Sequence, residues 1–274
     1  MTYPYIAWIS AMIVAPLLLI FLYAFTTKGN DVTTIRFTLE NFTKFFSDPI
    51  YTDVLKRSLV VAVITTIICI LIGYPSAYII ARAEGKAKVM LLLLITIPMW
   101  INMLVRTYAW IGILQDDGII NTILGWFGME PIKLLYTNFA VILGMVYNFV
   151  PFMILQIYTS LEKMDKSLLE AASDLGANKI ESFIRVTLPL SLPGVISGIT
   201  LVFLPSVSSF VIPKLLGGGQ YVLIGNVIET QFLTSGNWNF GSAISLIMAV
   251  IIMLSMYITK RIDKNDPSRG GATL

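Results

Sequence analysis

Six apolar segments separated by more polar ones make up most of this chain. They cover residues 5–25, 58–81, 90–114, 138–160, 193–213 and 242–259. An α-helix rises about 1.5 Å per residue and the hydrocarbon core of a bilayer is about 30 Å thick, so each segment is close to the length that crosses it. The pattern therefore predicts six transmembrane helices in a single transmembrane domain over residues 1–274.

The segment between the fourth and fifth predicted spans, residues 161–191, is the most polar part of the chain. Ser167 and Glu170 have the spacing of a capping box, which predicts a helix that begins there. Gly176 suits the left-handed conformation just past a helix end. A short helix followed by a glycine corner is the expected result.

A second short helix is predicted after this corner. Asn178 is a good capping residue and Glu181 follows it three positions later. Pro189 restricts the residue before it, so the pattern predicts that the second helix ends at residues 188–189.

The first of these short helices has one apolar face. Its members are Leu168, Leu169, Ala172 and Leu175. Such a face is typical of an amphipathic helix on a membrane surface, and equally of a helix that binds in a groove of a partner protein. The spacing leaves both interpretations open.

The composition agrees with a membrane protein and excludes several kinds of chemistry. Of the 274 residues 56% are hydrophobic and 13% are charged, with a mean hydropathy of +0.80, whereas a soluble domain is about 25% charged. With no His and the single Cys69, a His/Cys zinc site and an internal disulfide are excluded. We expect no catalytic residue, no metal and no cofactor in this chain. Its scattered basic residues and net charge of +3 argue against a nucleic-acid partner.

The distribution of Lys and Arg predicts the orientation of the helices. Eleven of them fall within residues 82–88, 163–185 and 260–269, whereas seven are spread over the longer segments of the opposite side. The positive-inside rule places the denser side in the cytoplasm, and six spans then put both termini there.

Residues 170–189 closely resemble the signature of bacterial ABC-importer permeases, E-A-A-x3-G-x9-I-x-L-P. The matching residues are Glu170, Ala171, Ala172, Gly176, Leu188 and Pro189, with Val186 in place of isoleucine. Three further segments, 98–100, 161–166 and 225–229, resemble the PotB-type permeases of spermidine/putrescine importers. The resemblance implies an all-α integral membrane protein with the type I importer permease fold, in which five core helices carry a peripheral first helix.

The same resemblance implies partners and a location. The chain would lie in the lipid bilayer of the bacterial inner membrane and form a heterodimer with a second, PotC-type permease. Two PotA-type ATPase subunits would bind ATP and Mg²⁺, and a PotD-type extracytoplasmic protein would deliver the polyamine. The sequence has no G-x-x-x-x-G-K-[ST] motif, so ATP hydrolysis would occur in the partner and this chain would be no enzyme. The residues implied in ATPase coupling are Glu170, Ala171, Ala172, Leu175, Gly176, Leu188 and Pro189.

A polyamine is a flexible polycation, so its path is expected to offer aromatic faces and carboxylates. The candidates are Trp100, Tyr147, Tyr108, Asp117 and Glu229. Simpler interpretations stay open for each of them, because an aromatic residue can also pack against lipid or lie in an interfacial belt, and a carboxylate can be a solvated loop charge.

Two alternatives to polyamine import also stay open. Permeases for iron or sulfate share the cytoplasmic signature, which therefore does not specify the cargo. An ATP-independent secondary transporter would need a His or an acid inside the membrane, and the predicted spans contain neither. Arg106 is the one charge well inside a predicted span, and we expect its side chain to reach toward the lipid headgroups.

Overall fold

The computed structural model describes residues 3–27, 36–165 and 167–264, and its regular structure there is helical apart from one isolated bridge between Thr26 and Phe37. In chain order the helices are α1 (Tyr3–Ala24), α2 (Glu40–Ser47), α3 (Pro49–Arg82), α4 (Gly85–Trp100), α5 (Met103–Leu114), α6 (Ile119–Trp126), α7 (Asn138–Glu162), α8 (Ser167–Asp174), α9 (Lys179–Ser182), α10 (Leu188–Ser208), α11 (Val211–Leu216), α12 (Ile224–Glu229) and α13 (Trp238–Lys264). Two π-helical turns, Phe183–Thr187 and Thr230–Thr234, follow α9 and α12.

Four helical segments of the described chain are long and apolar enough to cross a membrane. They are Pro49–Arg82, Asn138–Glu162, Lys179–Ser208 and Trp238–Thr259. Each is longer than the apolar segment that predicted it, because its polar end turns continue the helix beyond the hydrophobic run. The fifth predicted span differs most, since its helix begins well before residue 193 and ends at Ser208.

The third predicted span, 90–114, is broken into two helices. The axis of α4 and that of the α5–α6 segment meet at 96°, so together they form at most one bent span. Pro98 has no N–H to donate, and α4 ends two residues after it at Trp100. The side chain of Asn102 then accepts a hydrogen bond from the backbone N–H of Leu104 at 2.8 Å and starts α5.

Helix α1 lies at the periphery of the bundle. Its apolar part, Trp8–Ala24, is shorter than the four spanning helices, and it packs along α13. The amide of Asn239 holds its end by donating to the carbonyl oxygens of Tyr23 and Thr26 at 3.0 and 2.9 Å. The described residues thus form four long spans, one bent pair and this shorter apolar helix, where the sequence predicted six spans.

Helix α7 is the centre of the bundle and packs against both α3 and α10. Small residues make this close approach possible. A Cβ at Gly73 of α3 would lie 2.8 Å from Cγ of the fully buried Met153 on α7, and one at Gly198 of α10 would also meet Met153. Close helix packing of this kind is the main source of association inside a membrane, where lipid is as apolar as the side chains.

Candidate functional site

The polar segment, residues 161–191, has two short arms. The first arm is α8, and the second is α9 with the π-turn that follows it. Asp165 caps the start of α8. Oδ1 of Asp165 accepts a hydrogen bond from the backbone N–H of Ser167 at 2.9 Å. This hydrogen bond holds the pKa of Asp165 below its ordinary value, and a hydrogen bond from the Ser167 hydroxyl makes a smaller contribution in the same direction. Ser167 is the first helical residue and not the capping residue that its spacing with Glu170 suggested, because a carboxylate two residues earlier already satisfies its backbone donor.

The end of α8 has the hydrogen bonds of a Schellman motif. The N–H of Gly176 donates to the carbonyl of Ser173 at 2.9 Å, and the N–H of Ala177 donates to that of Ala172 at 3.0 Å. Gly176 has a φ of +83°, the left-handed conformation that the sequence predicted for it. Nothing lies within 4 Å of the position of a Cβ there, so the constraint on this residue is conformational and not steric crowding.

The second arm opens with the predicted capping residues. Oδ1 of Asn178 accepts from the backbone N–H of Glu181 at 2.9 Å, and Oε2 of Glu181 accepts from the backbone N–H of Asn178 at 2.9 Å. This reciprocal pair is a complete capping box, so the predicted start of the second helix is confirmed.

The predicted break at Pro189 is wrong. Helix α9, the π-turn and α10 run on as one segment, Lys179–Ser208. In the π-turn the N–H of Leu188 bonds to the carbonyl of Phe183, five residues earlier. This wider turn shifts the hydrogen-bonding register just before Pro189, which then sits in the first turn of α10, where a missing N–H is tolerated.

Part of the apolar face of α8 packs against the protein, and the rest of it is exposed. Leu169 and Ala172 are half-buried against the chain, whereas Leu168 is 44% exposed and Leu175 is 89% exposed. Glu170 and Ala171 are exposed as well. Of the remaining signature residues, Leu188 and Pro189 are half-buried at the start of α10 and lie where the second arm joins the bundle.

Aromatic contacts fasten the second arm to α3. The ring of Phe183 stands edge-on to those of Tyr74 and Tyr78, with centroids 5.8 and 5.4 Å away. Beside it the hydroxyls of Tyr74 and Ser191 share a hydrogen bond of 2.8 Å between α3 and α10. These contacts connect the second arm to α3, and no motif of the sequence had indicated them.

A cavity of about 670 Å³ lies between α8 and the helix ends beside it. Its walls come from the end of α3, the start of α4, the end of α7 and α8, with Glu170 and Leu169 among the lining residues. Nζ of Lys88 on α4 is 2.6 Å from a carboxylate oxygen of Glu162 on α7, so an ion pair closes one side. The cavity therefore lies between α8 and the ends of α3, α4 and α7.

Two of the aromatic path candidates lie exposed next to the break between α4 and α5. Trp100, the last residue of α4, is 89% exposed, and Tyr108 of α5 is 59% exposed. Exposed aromatic faces at this bend are free to contact a partner helix, lipid or a cationic ligand. Trp100 lies there because α4 ends at this residue, two positions after Pro98.

Tyr147 is packed differently from these two residues. Its half-buried ring lies against Trp110, with centroids 5.4 Å apart, and the guanidinium carbon of Arg106 is 5.9 Å from its centroid. Nε and Nη1 of Arg106 are buried beside the Tyr147 ring, although the residue as a whole is half-buried. A cation of the chain itself thus occupies a face of Tyr147.

The two carboxylate candidates are in unlike surroundings. Asp117 is exposed in the turn that connects α5 and α6. Glu229 ends α12, and its Oε1 is 2.6 Å from Nζ of Lys214, so its charge is already neutralised by a neighbour. The helix that carries Glu229 is anchored through Ser58 of α3, whose Oγ accepts from the N–H of Ile224 at 2.8 Å.

Comparison with known proteins agrees with this arrangement. The family described as "Binding-protein-dependent transport system inner membrane component" matches residues 69–265. The spermidine/putrescine transport system permease protein PotB of Haemophilus influenzae is 43% identical over 261 residues, which are 94% of this chain and 91% of that protein. PotB of Escherichia coli K12 is 40% identical over 92% of this chain and 93% of that protein. The permease YdcU of the same bacterium is 31% identical over 89% of this chain and 82% of its own length.

Solved structures show the same fold at low sequence identity. A bacterial ABC transporter that imports alginate has a chain 17% identical to this one, with a TM-score of 0.76 over 94% of this chain and 93% of that one. In its complex with a periplasmic protein that holds an alginate pentasaccharide, the TM-score is 0.78 at 18% identity, over 98% of this chain and 92% of that one. Permeases of this kind are non-catalytic and carry no cofactor of their own. This chain belongs to the binding-protein-dependent transport system inner membrane component family and is a multi-pass permease subunit of an ABC importer.

Proposed function

We propose that this chain forms part of the polyamine path of an ATP-driven spermidine/putrescine importer. The observation that carries the proposal is the extent of the similarity to PotB, at 40–43% identity over more than nine-tenths of both chains. At this identity a relative usually retains its class of substrate, whereas the shared fold of the alginate importer says nothing about cargo.

The partners follow from the surfaces that this chain leaves uncovered. Leu168 and Leu175 expose apolar side chains on α8, next to the exposed Glu170. We infer that α8 is the coupling helix and that its exposed apolar face binds in a groove of a PotA-type ATPase subunit, on the cytoplasmic side. The complete core then contains this chain, a PotC-type permease and two ATPase subunits, and a PotD-type protein delivers substrate from outside.

The orientation in this proposal rests on the distribution of basic residues. Arg82, Lys88 and Lys163 lie at the same end of the bundle as α8, as the positive-inside rule requires of the cytoplasmic side. Both termini are placed in the cytoplasm on the same ground.

Substrate contacts are proposed for the exposed aromatic residues at the helix break. Trp100 and Tyr108 offer ring faces to ammonium groups, and such contacts bind a polycation without the strong attraction of a buried carboxylate. Asp117 is exposed in the loop beyond α5 and raises the local concentration of cations there. Tyr147 and Glu229 contribute less, because Arg106 and Lys214 already engage them.

The mechanism transmits a movement of the ATPase subunits to this path. ATP binding and hydrolysis in the ATPase subunits, with Mg²⁺ neutralising the phosphate charge, would supply the energy for that movement. The coupling helix follows its groove, and the second arm displaces α3 through Phe183. Because α7 packs against both α3 and α10, the displacement reaches the centre of the bundle and exposes the path to alternate sides of the membrane.

The test is ATP hydrolysis by the complete complex reconstituted in liposomes together with its binding protein. Spermidine, putrescine, a ferric salt and sulfate are compared as stimulating ligands. We expect stimulation by a polyamine alone. Stimulation by iron or sulfate alone would keep the permease assignment and contradict the proposed substrate, whereas polyamine uptake without ATP hydrolysis would contradict the mechanism.

A further inference from the structure

Arg106 is a half-buried charged residue, and two of its donors have no partner in the described part of this chain. Its Nε and Nη1 are buried and donate no hydrogen bond to any of those residues. The ion pairs formed there are Lys56–Asp53, Lys88–Glu162 and Lys214–Glu229, and none of them includes Arg106. The stacking on Tyr147 satisfies the face of the guanidinium and leaves its N–H groups free.

The free N–H groups of Arg106 lie at a small cavity. It has a volume of about 370 Å³, and Arg106, Trp110 and Tyr147 line it together with Ile101 and Val105. Val105 is 60% exposed and Ile101 is 46% exposed, so the cavity opens on an uncovered apolar face of α5. A guanidinium on an uncovered apolar surface in the membrane requires a counter-charge.

Neither a headgroup nor the transported polycation fits this position. Tyr147 is nine residues into α7, about 13 Å along the helix from its first residue, so the guanidinium that stacks on it lies well inside the bilayer. A polyamine carries the same sign of charge as Arg106. The complementary group is therefore an anion that another protein chain brings to this depth.

We propose that a carboxylate of the second permease subunit pairs with Arg106 across the interface of the two permeases. The face around the cavity then becomes part of that interface, with Trp100 and Val105 beside the ion pair. A guanidinium and a carboxylate pair in a fork geometry that fixes the relative position of the two helices. The inference rests on the heterodimeric core of the proposed function.

The test measures how much of the second permease purifies with this chain when both are co-expressed with the other subunits of the importer. Arg106→Met keeps an unbranched apolar stem and removes the guanidinium with its charge. We expect the molar ratio of second permease to this chain to fall at least tenfold, because the partner carboxylate is left buried without a counter-charge. Arg106→Lys retains a charge and is expected to keep a larger ratio than Arg106→Met.

The matched control is Arg57→Met. Arg57 also stacks on a tyrosine, with its guanidinium carbon 5.5 Å from the centroid of Tyr221, but its side chain is exposed. We expect the wild-type ratio for this variant. Because the ratio is taken per molecule of this chain recovered, a lower yield of folded protein does not imitate the effect.

A charge exchange then identifies the partner. Arg106→Glu is combined in turn with Lys substitutions of each acidic residue in the membrane-spanning segments of the second permease. Restoration of the ratio by one such substitution supports the ion pair, and failure of all of them contradicts it. An unchanged ratio for Arg106→Met also contradicts it, because assembly with the second permease would then not depend on this charge.

These outcomes are distinct from a failure of the proposed function. If the wild-type chain purified only with copies of itself, the heterodimeric core would be wrong and this inference would fall with it. If the heterodimer formed but polyamine did not stimulate ATP hydrolysis, the substrate assignment alone would fail and the ion pair would still be tested.

Discussion

Lys88 and Glu162 are 74 residues apart in the chain, and their side chains meet with a distance of 2.6 Å from Nζ to each carboxylate oxygen. The pair joins the start of α4 to the end of α7 at the wall of the cavity beneath α8. Helix α4 has otherwise few contacts with the rest of the bundle, and its residues are at most half-buried. The ion pair is therefore a specific link between the bent span and the central helix.

Reversal of this pair tests the link. Lys88→Glu alone places two carboxylates together, and we expect substrate-stimulated ATP hydrolysis by the complete complex to fall severalfold. The exchange Lys88→Glu with Glu162→Lys restores the attraction and is expected to recover most of the activity. The same exchange at the exposed pair Asp53 and Lys56 is the control and should leave the activity unchanged. If the exchange failed to recover activity, the attraction between the two charges would not be what links α4 to α7. The activity would then depend on which charge stands at which position.

Gly176→Ala tests the corner between the two short arms. The left-handed conformation at a φ of +83° costs an L-residue about 1–2 kcal/mol, although the space around the new Cβ is open. We expect the second arm to lose its alignment and stimulated ATP hydrolysis to fall, while the binding protein still binds substrate.

Gly125→Ala is the matched control for this corner. Gly125 lies in α6, also with open space around the position of a Cβ, and its φ is not positive. Its activity should equal that of the wild type. Full activity of both variants would overturn the assignment of α8 as the coupling helix.

Trp100→Ala tests the proposed contact with the polycation. Loss of one cation–π contact of about 0.5–2 kcal/mol corresponds to a rise of about two- to thirtyfold in the KM for transport. Because Trp100 is 89% exposed, the thermal stability of the protein should change little. The control is Trp126→Ala, because Trp126 is 80% exposed on α6 and lies away from the proposed path. Equal transport by the two variants would exclude Trp100 from the path.

Met153→Ala tests the packing at the centre of the bundle. Met153 is fully buried and contacts Gly73 and Gly198, so its truncation leaves a cavity between three helices. Such truncations cost about 2–5 kcal/mol, and we expect the lower end here, since lipid replaces water as the solvent of the unfolded side chain. The measurement is thermal unfolding in detergent. Met253→Ala, at a position 59% exposed on α13, should shift the unfolding temperature by no more than a surface substitution does.

Much of the fold could be predicted because the bilayer restricts a chain to few solutions. Backbone groups in hydrocarbon must be bonded within their own segment, so apolar length alone indicates spanning helices. The glycine corner at Gly176 and the capping box of Asn178 and Glu181 were equally predictable, since short-range hydrogen bonds within a few residues decide them. The family signature occupies this same local stretch.

The errors came from features that depend on backbone geometry beyond a few residues. Pro189 was expected to end a helix, but a π-turn ahead of it removes the conflict. A bend near Pro98 was predictable from the proline, but its size was not, because Asn102 starts a new helix and the two segments meet at 96°. A proline in a sequence shows where a helix lacks a donor, and it does not show how the neighbouring turns adjust to that loss.

Hydropathy and capping are local properties, so the sequence alone was enough to identify a helical membrane protein, its apolar segments and the corner in the polar segment 161–191. Which side chains meet could be read only from the folded structure. The pairing of Lys88 with Glu162, the engagement of Glu229 by Lys214 and the burial of Arg106 against Tyr147 join distant parts of the chain. These contacts are set by the packing of α7 against its neighbours, and periodicity along a single helix carries no information about them.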